Sequence, residues 1–288
     1  LAYWRLNETS GTEAFNYWGG HIASHTNDPA LGIPGPQPTE FAGFESGNVG
    51  VAYDGFANYT DTGVSYLNNR AQFTIVGWFN SAYTQADRTG LFGQNDVAEF
   101  GFSGVTAPAV TADLGIWTPR GTARFTGLGQ DIITQGQWYF VAAVGDETSL
   151  TLYLFGDEGF RKTSTSLSTT NYGASADPFR IGGGGIQDPT GNYFVGQIDE
   201  VAVFDRALSS GEISTLYGVG RNGAPLPPTI LGHPASKTLY TTRTVTFNVS
   251  AVGSDPLTYQ WRKNGAALTD TDRISGSTTP TLSLTDLQ

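Results

Sequence analysis

The sequence predicts an all-β chain, an antiparallel β-sandwich followed by a second, smaller and incomplete one. Three observations carry this. Apolar segments of strand length recur along the whole chain. Glycine accounts for 38 of 288 residues, about twice average usage, as a fold rich in tight turns requires. Only one segment carries the signals of a helix.

The strand signals begin at residues 2–6 and 51–53. Residues 73–79 are apolar on both alternating faces, the pattern of a strand covered on both sides. Shorter strands are expected at 91–93, 100–102, 114–117 and 179–181. Residues 138–144 and 150–155 flank the turn-like Gly145-Asp-Glu-Thr-Ser149, so they predict a hairpin. A long strand is expected over 194–204. The helix follows it: Ser209 and Glu212 have the spacing of a capping box, and Leu208 and Ile213 that of a hydrophobic staple. Gly218 is expected to stop the helix after two or three turns.

A boundary falls near 221–228, where Asn222-Gly-Ala-Pro-Leu-Pro-Pro228 is too stiff for a central strand. The expected organisation is a first domain over 1–221, a proline-rich linker over 222–228 and a second domain over 229–288. In the second domain Val245, Phe247, Val249 and Ala251 alternate with polar residues. So do Leu257, Tyr259 and Trp261. Asn264-Gly265 is a hairpin turn signal, and Leu282 and Leu284 begin a further strand.

Composition excludes several classes. Charged residues are 14% of the chain against about 25% in an average soluble domain, so Ser, Thr, Asn and Gln must supply much of the surface. The net charge of -11 repels phosphate backbones, so no nucleic-acid partner is expected. Acidity leaves carboxylates for hard cations. Cysteine is absent, which excludes disulfides, iron–sulfur clusters and thiol catalysis. Methionine is absent even at position 1, so a processed product or excised fragment is expected. No signal peptide and no apolar run of transmembrane length is present.

Five segments together resemble the laminin-G-like (concanavalin A-like) jelly roll of bacterial surface proteins. They are Tyr3-Trp-Arg-Leu-Asn-Glu-Thr-Ser-Gly11, Val51-Ala-Tyr-Asp-Gly55, Phe73-Thr-Ile-Val-Gly-Trp-Phe79, Gln137-Trp-Tyr-Phe-Val141 and Gly196-Gln-Ile-Asp-Glu-Val-Ala-Val-Phe-Asp-Arg-Ala-Leu-Ser209. The last is the most specific. Residues from about 228 onward resemble a bacterial immunoglobulin-like domain through Tyr259-Gln-Trp-Arg-Lys-Asn-Gly265. Four or five strands are countable there, against about seven in a complete immunoglobulin sandwich, so its C-terminal strands are missing.

No catalytic residue is assigned. The resembled fold is shared with laminarinase-type glycoside hydrolases, which use a Glu-x-Asp-x-(x)-Glu strand, and no segment fits it. Asp96 and Glu99 have a spacing that places them on opposite faces of a strand, and Asp199 and Glu200 are neighbours that also point oppositely. His21, His25 and His233 form no motif and are expected as polar loop residues. Gly182-Gly-Gly-Gly185 lacks the Lys-Ser/Thr and helix of a phosphate loop and reads as a flexible turn. The resemblance implies a structural calcium between the opening turn and the closing strand, with Glu8, Asn48 and Asp199 at the matching positions.

Trp78, Trp138 and Trp261 lie in alternating strands and are expected in the core, and Trp4 near a sheet edge. Tyr17, Trp18, Tyr59 and Trp117 adjoin turn-like sequence and are the candidate sugar-stacking residues. The expected function is a non-catalytic extracellular or cell-surface module that binds glycan or a surface protein, within a larger secreted protein. Two alternatives stand beside it. One is a structural repeat of a surface fibre or coat contacting neighbouring protomers; the other is an ancillary module of a polysaccharide-degrading enzyme.

Overall fold

The computed structural model describes residues 1–105, 112–125, 133–157, 159–187, 192–223, 229–238, 243–252 and 257–286. The chain divides into two units, Leu1–Gly223 and Ala224–Gln288. The expected linker at 224–228 lies outside the described residues.

The first unit opens with β1 (Ala2–Trp4), β2 (Glu13–Ala14), β3 (Ala23–Thr26), β4 (Ala30–Pro34), β5 (Val49–Asp54) and β6 (Tyr59–Asp61). It continues through β7 (Phe73–Ser81), β8 (Thr89–Gln94), β9 (Ala98–Val105), β10 (Ala112–Thr118) and β11 (Gly121–Arg124). β12 (Trp138–Gly145), β13 (Ser149–Gly156), β14 (Gly159–Ser166), β15 (Phe179–Ile181) and β16 (Val195–Phe204) precede the helix α1 (Ser210–Asn222).

These strands form two antiparallel sheets. One runs β14-β13-β12-β7-β16-β5-β4 with β1 also on β16; the other runs β11-β10-β9-β8-β15-β6-β3-β2. The expected hairpin is β12–β13, with Phe140 opposite Phe155. Between the sheets lies the main core, to which β7 sends Phe73, Ile75 and Phe79 and β9 sends Phe100 and Phe102. Trp4 belongs here rather than at an edge: it is fully buried and stacked 5.9 Å from Phe179.

The first sheet is apolar on its outer face as well. Val76, Trp78, Phe140 and Phe155 form a second cluster there with Phe41, Phe44 and Ile213. Trp138 packs partly buried against the same cluster. Both tryptophans therefore serve this outer layer and not the space between the sheets. Helix α1 covers it. Its capping box is present, with Glu212 N–H bonded to the Ser209 side chain and Ser209 N–H to the Glu212 carboxylate. The helix runs past Gly218 to Asn222 and is capped by Gly223 in the left-handed region at φ 63°. It continues because its end is satisfied from outside: Ala42 N–H reaches the Arg221 carbonyl at 3.2 Å and Gly43 N–H the Gly220 carbonyl at 3.0 Å, which answers the orphan carbonyls of a helix terminus.

A bulge in β16 organises the rest. Asp199 pairs with Trp78 and Ala202 with Val76, so one extra residue stands between them, and Glu200 takes φ 52°. The bulge shifts the side-chain parity: Ile198 faces the main core before it, Val201 and Val203 after it. It also divides the edge of β16 between two partners, β5 at residues 195–198 and β1 at 201–203.

The second unit contains β17 (Thr229–Gly232), β18 (Val245–Asn248), β19 (Ser250–Val252), β20 (Arg262–Lys263), β21 (Ala266–Ala267), β22 (Ile274–Ser275) and β23 (Thr281–Leu284). The expected strand over 245–251 is split: β18 pairs with β23 and β19 with β17. Residues 257–261 are not a strand. The expected hairpin at Asn264-Gly265 joins β20 to β21, with φ of 52° and 84° at the two turn residues, as a two-residue turn of this kind needs. Trp261 is half-buried, donating from Nε1 to the Thr279 carbonyl at 2.8 Å.

Candidate functional site

Asn16 builds an exposed aromatic platform. Its buried side-chain oxygen accepts three backbone N–H groups, from Tyr3 at 3.0 Å, Trp18 at 3.1 Å and Gly19 at 2.9 Å. Tyr17 N–H adds a bond to the Tyr3 carbonyl at 2.8 Å. The loop is thereby fastened to β1, and Trp18 is left 70% exposed and Tyr17 54% exposed. Gly19 is required at the turn: a Cβ there would stand 2.7 Å from the Leu1 carbonyl.

Trp18 lies at the rim of a cleft of about 690 Å³ on the outer face of the first sheet. Tyr3, Arg5, Glu45 and Glu200 line its polar end. Arg5 bridges the two carboxylates, reaching Glu200 Oε1 from Nε at 3.2 Å and Glu45 through a guanidinium nitrogen. The Tyr3 hydroxyl donates to the other Glu200 oxygen. Burial, and then the Glu200 carboxylate, pushes the Tyr3 phenol up from its ordinary range. Burial also raises Glu200, against the opposing pull of Tyr3 and Arg5. Asp205 also lines the cleft, and the rest of the lining is aromatic, aliphatic or glycine.

Sequence reasoning missed this polar group. It placed Asp199 and Glu200 on opposite faces, as a regular strand would. The bulge overturns that: Asp199 stands opposite Trp78 of the outer cluster, and Glu200 turns to Tyr3, a residue packed on the same cluster. Arg5 and Glu45 are 40 positions apart, and no local pattern pairs them.

The other candidate aromatics lie elsewhere. Tyr59 is half-buried beneath the glycine run, where a Cβ on Gly184 would stand 2.5 Å from its ring. The Arg180 guanidinium lies 5.5 Å from the ring centre. All four glycines, 182–185, have positive φ and are buried, so this run is a packed loop rather than a flexible turn. Trp117 is half-buried on β10 in the second sheet, paired with Glu99 and Thr122.

Of the expected calcium residues, Asn48 and Asp199 meet and Glu8 stands apart from that contact. Asn48 Nδ2 donates to Asp199 Oδ2 at 2.6 Å, and Glu200 N–H to Asp199 Oδ1 at 3.0 Å. Glu8 Oε1 instead accepts from Phe15 N–H at 2.8 Å. At the Asn48–Asp199 pair one observation suits a hard cation: Asn48 Oδ1 is buried without a partner. Burial, and then the Glu200 carboxylate, holds the Asp199 carboxyl well above the ordinary range, while both of its oxygens accept hydrogen bonds. Among the described residues, no group of three or more His, Asp or Glu side chains is placed to hold a metal ion.

Glu99 Oε1 accepts the Asp96 N–H at 2.9 Å across the β8–β9 turn. His25 is not a loop residue. It is buried on β3, with Nδ1 2.9 Å from Thr60 Oγ1. Among the described residues, no helix is long and apolar enough to cross a membrane.

The model of the concanavalin A-like lectin/glucanases superfamily matches residues 54–214. No curated protein matches the chain. Among solved structures, the chain is similar to domain 4 of AbnA, a GH43 extracellular arabinanase from Geobacillus stearothermophilus, in complex with arabinotriose. The TM-score is 0.51 at 14% identity, over 75% of this chain and 96% of that one. It is also similar to the enzymatically active domain of bacteriophage CBA120 tailspike protein 2, with TM-score 0.48 and 10% identity over 74% and 31% of the two chains. Trypanosoma rangeli sialidase in complex with sialic acid gives TM-score 0.46 and 14% identity over 75% and 32%.

Proposed function

The chain belongs to the concanavalin A-like lectin/glucanases superfamily, and from that premise we propose that its first unit is a non-catalytic carbohydrate-recognition module. The observation that carries the reading is the Trp18 platform, an exposed indole on a loop locked by Asn16, beside a cleft with a fixed polar end. Flat aromatic rings stack on sugar faces, and a few fixed polar groups beside them set orientation. The second unit is read as an immunoglobulin-like spacer, and the whole as part of a secreted, extracellular or cell-surface protein.

A glycan array probed with the wild type, Trp18→Ala and Trp117→Ala tests the reading. Loss of a central aromatic contact costs about 2 kcal/mol, roughly 30-fold in affinity. Trp18→Ala is expected to lose binding by that factor while Trp117→Ala keeps it. Wild-type binding to no glycan, or equal binding by both variants, contradicts it. Release of new reducing ends from the bound glycan would contradict the non-catalytic assignment.

Calcium is a separate proposal, with Asn48 and Asp199 as the residues that would hold it. A hard cation there would supply the charge that the buried carboxylate lacks. Adding calcium to chelator-treated protein is then expected to raise Tm, and Asp199→Asn to abolish the increment. An unchanged Tm contradicts it.

A further inference from the structure

Two further exposed aromatics are mounted as Trp18 is. We propose that Phe56 and Tyr83 form a second glycan-binding site at the opposite end of β16, so that the first unit binds two sugar segments at once; this rests on the carbohydrate reading.

Each ring stands on a turn fixed by a buried amide two residues away. Asn16 does this for Trp18, Asn58 for Phe56 and Gln85 for Tyr83. In the β5–β6 turn, Asn58 Oδ1 accepts the Asp54 N–H at 2.9 Å and Asp54 Oδ1 the Phe56 N–H at 2.8 Å. Asn27 Nδ2 donates to the Ala57 carbonyl of the same turn at 2.8 Å. After β7, Gln85 Nε2 donates to the Tyr83 carbonyl at 3.1 Å and to the Val195 carbonyl at 2.9 Å. Its Oε1 accepts the Val195 N–H at 3.3 Å. Phe56 is left 82% exposed and Tyr83 66% exposed. A ring held ready in this way loses little freedom on binding.

The topology sets the two rings side by side. β5 and β7 flank the start of β16, with Val195 opposite Asp54 and Gly196 opposite Ser81. The two turns therefore leave the sheet at one end, two strand spacings or about 10 Å apart. Trp18 lies by Val203 and Asp205 at the other end, about 25 Å along the strand.

A sugar chain suits this pair better than a protein does. Each ring is the one large apolar side chain of its turn, flanked by Gly55 and Ala57 or by Ala82 and Thr84. A protein interface gathers its apolar side chains into one buried core. A sugar needs one flat aromatic face with polar groups at its edge, and two such faces in a row take successive parts of one chain.

The experiment titrates arabinotriose, xylotriose, cellotriose and maltotriose into the full chain by calorimetry; each is too short to reach from Trp18 to Phe56. At least one is expected to bind two equivalents. Trp18→Ala is expected to bind one, the Phe56→Ala, Tyr83→Ala double variant one, and the triple variant none. Thermal melts matching the wild type establish that these variants are folded. One equivalent, lost in Trp18→Ala and kept in the double variant, overturns the second site and leaves the carbohydrate reading standing. One equivalent, lost in the double variant and kept in Trp18→Ala, supports the second site and overturns the Trp18 platform. Two equivalents that survive the double variant overturn the second site. Binding of none of the probes overturns both. A dimer of the free chain that the double variant abolishes assigns Phe56 and Tyr83 to a protein contact and overturns their role in sugar binding.

Discussion

Asn16 shows how much one polar side chain can organise. It appeared in the sequence only as the residue before Tyr17-Trp18, and nothing local marks it as an acceptor for three N–H groups spread over residues 3–19. Tyr17 and Trp18 were legible because they adjoin Gly19-Gly20. Their support was not, since it depends on β1 lying alongside. Asn16→Ala leaves three N–H groups without their acceptor and is expected to cost about 1–3 kcal/mol of stability. It should also weaken glycan binding with Trp18 itself intact. Wild-type stability in a denaturant titration would contradict the role given to Asn16.

His25 makes a prediction about pH. Burial pushes its imidazole down to about 4 from 6.5, and its Nε2 is buried without a partner. The unfolded chain therefore takes up a proton at a pH where the folded chain does not. The resulting stability is present above about pH 6.5 and is lost as pH falls towards about 4. One proton contributes a slope of at most about 1.4 kcal/mol per pH unit. His25→Gln is expected to remove that slope when stability is measured across the window. Superimposable wild-type and variant profiles would count against it. The sequence placed His25 in a loop because Gly19-Gly20 and Asn27-Asp-Pro29 flank it; the four-residue strand between them is too short to show its alternation.

At the scale of elements, α1 is the piece the sequence announces best at its start and worst at its end. Ser209 and Glu212 are a local code and their bonds are present. The end is set by tertiary contacts, so Gly218 does not act as a stop. Gly218 and Gly220 play opposite parts. A Cβ on Gly218 meets nothing within 4 Å, whereas one on Gly220 would stand 2.7 Å from Trp78 and 3.0 Å from Phe44. Gly218→Ala is expected to raise stability by up to about 1 kcal/mol through helix propensity. Gly220→Ala is expected to lower it despite the same propensity gain. Thermal melts check both, and an equal rise for the two would show that α1 does not press on Trp78 as described. β16 teaches the same lesson. Its composition predicts a strand, but the extra residue at Glu200 depends on β1 and β5 sharing one edge.

At the scale of the whole molecule, strand alternation revealed the sandwich because both faces of the first sheet are covered, as in residues 73–79. It did not reveal that the outer layer forms a cleft, because Phe44, Trp78 and Leu216 meet only in the fold. The second unit is less well filled. Among its described residues the buried hydrophobic side chains are Val245 and Leu282. Stability follows buried apolar area, so calorimetry of the full chain is expected to show the second unit unfolding at lower temperature than the first. A single transition shared by both units would contradict that separation.

The most direct test of the carbohydrate reading follows the six tryptophans individually. Their indole N–H signals can be recorded by NMR while the strongest array ligand is titrated into the full chain, with Trp18→Phe assigning the key resonance. The Trp18 signal is predicted to shift with saturation while those of Trp117 and Trp261 stay in place. A shift at Trp117 with Trp18 unmoved would put the sugar on the other sheet and contradict the site described above.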